Sequence, residues 1–308
     1  MVRWLIVAAL VGVVASVLWQ ELRYLHARRD VVHDAQPLIY SGRAFHVVTF
    51  LSFSSRGSDA GVANDAELLA ALRDLREASE AGGEGKVVYA GKIALNALAS
   101  KQLVERFAGE VPWSAVLLTQ FASRAAADRV LASDRYRDVL SRFGQAYSCG
   151  MQRSAWVNLG IPVVLLGKRI AQVLSGAPSY FPFVPAAESD PAIEVRAAQL
   201  LRSRDDGARA VVVVNLIRQG SAANAEADRR YTGQMFGMMA EGVHGPMHVG
   251  VAIPLVPGDR FDRIALVYYP GVQYFADMMR SRFYRGIVGD KQLSDTQASI
   301  TVPVLDRL

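Results

Sequence analysis

The sequence predicts an α+β protein. Two tandem ferredoxin-like (βαββαβ) copies close on each other as an intramolecular α+β barrel, behind an N-terminal transmembrane helix. Three observations lead there. Residues 113–144 and 261–292 align without a gap, 148 positions apart. "RAFHVVTFL" (43–51) and "RAVVVVNLI" (209–217) align 166 positions apart, both as β-branched apolar runs of strand length. Trp4 to Trp19 carries no charge.

Composition sets the frame. Of 308 residues, 51% are apolar and 20% are charged, enough to build one large core or two ordinary ones. The net charge is +5, but the bases are scattered among 29 acids and never run longer than two, so nucleic acid is not an expected partner. The single cysteine, Cys149, excludes an internal disulfide framework and a multi-cysteine metal site. It reads as a small buried apolar residue.

The first element is the apolar run 4–19, within an anchor spanning 1–24. Sixteen helical residues cover about 24 Å, and snorkelling of Arg3 with the Leu22 turn extends this toward the hydrocarbon thickness. Tryptophans at both ends suit the two interfaces. A cleavable leader is the alternative, but Leu18, Trp19 and Gln20 make a poor small-x-small site. Arg23, Arg28 and Arg29 follow the span, against Arg3 before it. The positive-inside rule then places the soluble part in the cytoplasm, behind a juxtamembrane segment at 25–42.

Copy 1 spans 43–153 and copy 2 spans 208–308. The first strands are expected at 44–53 and 209–217. Helices follow at 65–79, with Asn64 and Glu67 as a capping box and Leu68, Leu72 and Leu75 as its stripe, and at 224–241. Second strands come at 86–95 and 247–254, third strands at 114–121 and 262–270. Helix pairs are expected at 123–131 with 134–143, and at 271–280 with 282–288. Fourth strands close the copies at 145–153 and 295–304. Copy 1 carries longer connections, around "GKIALNALASKQLVERFAGEVPW".

Both copies share "S-x-x-Y-R": Ser133, Tyr136 and Arg137 match Ser281, Tyr284 and Arg285. The aromatics of 261–292 therefore read mainly as rings covering a helix–sheet interface. Tyr274 and Phe275 replace Ala126 and Ala127, so copy 2 has either a larger core or a specialised surface there. The segment "PWSAVLLTQFASRAAADRVLASDRYRDVL", with "VYYPGVQYFADMMRS" and "GDKQLSDT", resembles the dimeric α+β barrel superfamily, and the whole chain resembles bacterial membrane-anchored proteins with two such domains. The resemblance covers about two-thirds of the chain. It implies the fold. It implies no particular reaction or cofactor, because that superfamily includes monooxygenases, haem enzymes, isomerases and binding modules.

Residues 154–207 match neither copy and read as a linker. Trp156, Leu159, Val163, Leu166, Ile170 and Val173 make a helical stripe. With Lys168 and Arg169 central, the 156–174 helix suits a bilayer interface or the domain surface better than a span. Pro162 is expected as its first residue. A proline-rich stretch and a short helix at 190–203 follow.

Explicit chemistry is sparse. "GGEGK" (82–86) has no phosphate-loop spacing and reads as a turn. His244 and His248 are separated by Gly245 and Pro246, so they share no helical face, and no third ligand is near in sequence. No metal and no cofactor is expected. His46 reads as a core histidine. Thr49 and Asn215 are equivalent polar residues within apolar first strands, as are Gln120 and Tyr268 within third strands. Either they bond across the sheets or they line an interior cavity. His248 shares a strand face with Gly250 and Ala252, where small residues leave room. The candidate ligand residues are thus His248, Tyr268 and Asn215, in the space between the sheets. The expected role is a membrane-anchored binding or scaffold module for a small molecule, the alternative being a monooxygenase- or isomerase-like enzyme using that space.

Overall fold

A computed structural model describes residues 2–28, 44–53, 65–109, 113–203 and 210–308. Eight strands appear in chain order: β1 (Phe45–Ser52), β2 (Gly85–Leu98), β3 (Ala115–Phe121), β4 (Gln145–Gln152), β5 (Val211–Arg218), β6 (Gly245–Ile253), β7 (Arg263–Tyr269) and β8 (Asp295–Pro303). They form one closed barrel in the order β1-β3-β2-β8-β5-β7-β6-β4. Each copy contributes four consecutive strands with the order 4-1-3-2 of a ferredoxin-like sheet. Two seams join the copies. Strand two of copy 1 pairs with strand four of copy 2, and strand four of copy 1 with strand two of copy 2. This reciprocity is what a two-fold axis would give two subunits, written here within one chain. Closure leaves no exposed sheet edge.

Alternation along the strands builds three cores. Inward residues such as Val48, Phe50, Tyr89, Leu118, Val214 and Leu266 fill the barrel. Outward residues of copy 1 pack under α2 (Asp65–Glu80), α4 (Arg124–Ala132) and α5 (Asp134–Leu140). Those of copy 2 pack under α8 (Ala222–Gly242), α9 (Val272–Arg280) and α10 (Arg282–Gln292). The repeated "S-x-x-Y" is a helix start. Ser133 Oγ accepts from the Tyr136 amide and Ser281 Oγ from the Tyr284 amide, N-caps worth about 1 kcal/mol each. The capping residue expected for α2, Asn64, lies outside the described residues. Phe275 is buried, and Tyr274 packs against Phe181 and Phe183, so these rings enlarge the copy 2 core.

The extra length in copy 1 has a structural use. It contains α3 (Lys101–Arg106), whose Leu103 joins Trp113 and Phe261 at one end of the barrel. Arg106 pairs with buried Asp259 at 2.6 Å, and the Tyr147 hydroxyl donates to the same carboxylate at 2.9 Å.

The other end is stoppered by α1 (Val2–Arg28). Tyr24 donates to the Met239 carbonyl at 2.8 Å, Arg28 to that of Pro246 at 3.3 Å, and the Ala27 carbonyl accepts from Tyr268 at 3.0 Å. The helix therefore continues past the expected span into the protein, carrying Glu21 and buried Arg28 with it. Among the described residues no helix is long and apolar enough to cross a membrane, so the expected transmembrane span is unsupported. Much of α1 before this plug is nevertheless exposed and apolar, with Trp4 78%, Val11 63% and Trp19 65% accessible.

Helix α6 (Ala155–Ser175) begins after Ser154, so Pro162 lies inside the helix and not at its first position as expected. There it removes a helical hydrogen bond. The helix packs on α8 and α1. Helix α7 (Pro191–Arg202) begins as expected, with Asp190 accepting from the amides of Ala192 and Ile193.

Candidate ligand site in the second copy

The expected inter-sheet site does not assemble. His248 pairs with Leu266 and points into the barrel, as does Tyr268. Asn215 lies between inward Val214 and Leu216 and faces the helices instead. A strand's period of two puts it on the opposite face from the other two candidates. Apolar side chains fill much of the barrel interior, together with Thr301, bonded to Tyr89, and a polar cluster at one mouth.

His248 belongs to a polar cluster under the end of α1. Arg153 Nη1 lies 2.6 Å from His248 Nδ1, Arg153 Nη2 donates to the Met247 carbonyl at 3.3 Å, and the His46 ring centre is 6.1 Å from that of His248. Burial first, then the Arg153 cation, lowers His46 to about 3 and holds His248 well below its ordinary value. These are neutral, interior histidines. His244 faces elsewhere, toward the Tyr274 hydroxyl at 3.2 Å. Among the described residues no group of three or more potential ligands could hold a metal ion. Cys149 is buried in the barrel, its thiol pushed up to about 12 mainly by burial.

A cavity does lie on Asn215's own face. A cavity of about 120 Å³ separates the copy 2 sheet from α8, α9 and α10. Its walls are Met235, Phe236, Tyr269, Phe275 and Met278, with Tyr231 and Tyr284 over them. The hydroxyls of Tyr231 and Tyr284 bond each other, and burial raises both phenols above the ordinary range. At this size it would not admit a porphyrin, and its lining contains no histidine or cysteine.

Lys291, at the end of α10, supplies the cavity's polar head. Its Nζ donates to Asn215 Oδ1 at 3.0 Å and stands 5.6 Å from the Tyr231 ring centre. Burial lowers its pKa to about 8, partly opposed by Asp228. Asp228, however, is engaged by Arg263 at 2.6 Å and Gln219 at 3.1 Å, and Asp290 by Arg230. Lys291 itself has no carboxylate within ion-pair distance among the described residues.

Copy 1 shows what this site replaced. Thr49 stands where Asn215 stands, and it bonds Ser148 at 2.9 Å and the Tyr136 hydroxyl. In the ungapped alignment Phe143 meets Lys291. Phe143 is buried, edge-on to Phe53 at 5.7 Å. One copy is filled with hydroxyls and rings, while the other carries an amide, an ammonium and space. Sequence reasoning singled out Asn215 but assigned it to the space between the sheets, and it did not join Lys291, Tyr231 and Asp228 to it. The signal was the charge standing opposite an aromatic residue across the repeat.

The strand order and the closure define a fused pair of ferredoxin-like units, with an apolar cavity under the helices of the second. No known protein family matches the chain, and no curated protein matches it. Among solved structures it is similar to a provisionally assigned monooxygenase from Lactobacillus acidophilus NCFM, at 8% identity and TM-score 0.40, over 85% of this chain and 94% of that one. It is also similar to a double mutant of chlorite dismutase from Candidatus Nitrospira defluvii, at 9% identity and TM-score 0.45, over 86% and 94%. The imidazole complex of that dismutase gives 9% and 0.43, over 87% and 95%. Likeness at this distance carries no chemistry; the fold class rests on the strand order itself.

Proposed function

We propose that the protein is a small-molecule binding module whose ligand occupies the helix–sheet cavity of the second copy. The observation carrying this reading is the asymmetry of the repeat. Equivalent positions are packed in copy 1, whereas in copy 2 they surround about 120 Å³ with a lysine at its head. A cavity that only weakened packing would cost stability without return. The expected ligand residues change accordingly: Asn215 stays, and His248 and Tyr268 serve the barrel interior. Ala265 lines the cavity wall, so Ala265→Leu should fill it. Native mass spectrometry of the full chain against a small-molecule screen should find one ligand per chain, lost in Ala265→Leu. Equal binding by wild type and variant would move the site elsewhere.

A bilayer surface is the second partner in this reading. Trp4, Leu10, Val11 and Trp19 on α1, with Val163, Val173 and Leu174 on α6, are exposed large apolar side chains on helices that touch each other. Interfacial docking, without a span, accounts for them. The enzyme alternative uses the same cavity, because a lysine near pKa 8 can exchange a proton close to neutral pH.

A further inference from the structure

Resting on the cavity reading above, we infer that the second-copy site selects small apolar monocarboxylates, with Lys291 as the counter-ion that captures the ligand's carboxylate. A half-buried ammonium without a partner anion carries a desolvation cost, and an anion brought by a ligand relieves it. Among the described residues none supplies that anion. Asp228 and Asp290 are each committed to an arginine, and among the described residues the oxygen that Lys291 Nζ bonds is the neutral amide of Asn215. That amide accepts one proton of the ammonium and leaves two for a carboxylate.

The rest of the ligand is set by the walls. Three tyrosines and two phenylalanines surround the space. An engineered cavity of about 150 Å³ holds a benzene ring, so a site of about 120 Å³ suits one ring or a short chain and little more. Arg263 does not add a second cationic hold, because its guanidinium is spent on Asp228. A singly charged head is therefore matched and a dianion is not. Asn215 also has a part: its Nδ2 bonds the Val213 and Ala265 carbonyls, which fixes the amide oxygen toward Lys291. Asn215 is a positioning residue for the ammonium.

Benzoate and its neutral isostere benzamide test this on the full-length protein by titration calorimetry. Benzoate should bind more tightly than benzamide by roughly tenfold or more, the scale of one charge-assisted bond. Lys291→Met should abolish that preference by weakening benzoate alone, and Lys291→Arg should keep part of it. Melting curves of both variants distinguish lost recognition from lost folding. Equal binding of the two probes to wild type would overturn the carboxylate inference and leave the cavity reading standing. Binding of neither would overturn both.

Discussion

Arg153 Nη1 lies 2.6 Å from His248 Nδ1 inside the mouth of the barrel. A guanidinium only donates, so Nδ1 must accept and the ring proton sits on Nε2. Protonating His248 would place two cations in contact. Burial, then the Arg153 cation, lowers His46 to about 3, and burial lowers His244 to about 4.

These three histidines should make the fold acid-sensitive. Each binds a proton near pH 6.5 when unfolded and far lower when folded. Stability is then complete above about pH 6.5 and is lost as pH falls through 6.5 toward 4. The loss is about 2 kcal/mol per histidine at pH 5, an upper figure. Glu21, whose carboxyl burial pushes up, works in the opposite sense in its own lower range. Urea denaturation at pH 7.5 and pH 5 should show a lower midpoint in acid, and a flat profile would rule this out.

The two motif tyrosines should differ. Tyr136 is buried with its hydroxyl bonded to Thr49 and Ser148, whereas Tyr284 borders the cavity. Tyr136→Ala should cost ~3–5 kcal/mol and Tyr136→Phe about 1. Tyr284→Ala should cost less than Tyr136→Ala, because its ring already faces space. Equal costs in the two copies would show that the cavity is collapsed in solution.

Much of the fold was legible because the repeat could be read twice. Strand positions followed from β-branched runs, and the helix pairs from the ungapped match of 113–144 with 261–292. What could not be read was which face each strand turned to the barrel. Thr49 and Asn215 looked like interior residues because the flanking valines are apolar on both faces. A strand buried on both sides has no alternation to reveal its inside. The plug was hidden for a similar reason. Tyr24 and Arg28 gain meaning only against Met239 and Pro246, more than two hundred residues away. Lys291 was visible as a charge near a strand, but its lack of a carboxylate partner is a property of three dimensions.

The exposed apolar part of α1 should bring the chain to lipid. Full-length protein should float with phosphatidylcholine vesicles on a density gradient. Val11→Glu with Leu18→Glu should release it without changing the barrel's melting transition, since both side chains face solvent. Flotation unaffected by the double change would remove α1 from the membrane contact.

The last expectation joins the lysine to stability. In the empty protein Lys291 titrates near 8, against about 10.5 when unfolded. A lysine with a lowered folded pKa weakens the fold while it is charged. That cost is full below pH 8 and is relieved as pH rises from 8 to 10.5. Its size is about 1–3 kcal/mol, discounted for the partial exposure of the side chain. Stability measured from pH 7 to 9.5 should therefore rise in wild type and stay flatter in Lys291→Met, which should also melt higher at pH 7. Saturating benzoate should flatten the wild-type trend, because the bound carboxylate favours the ammonium and lifts its folded pKa back toward the unfolded value. The tyrosines around the site stay silent in this window, since burial holds Tyr231, Tyr269 and Tyr284 above their usual range. A wild-type profile identical to that of Lys291→Met, with and without benzoate, would show that this ammonium is fully solvated and that no ligand needs to neutralise it.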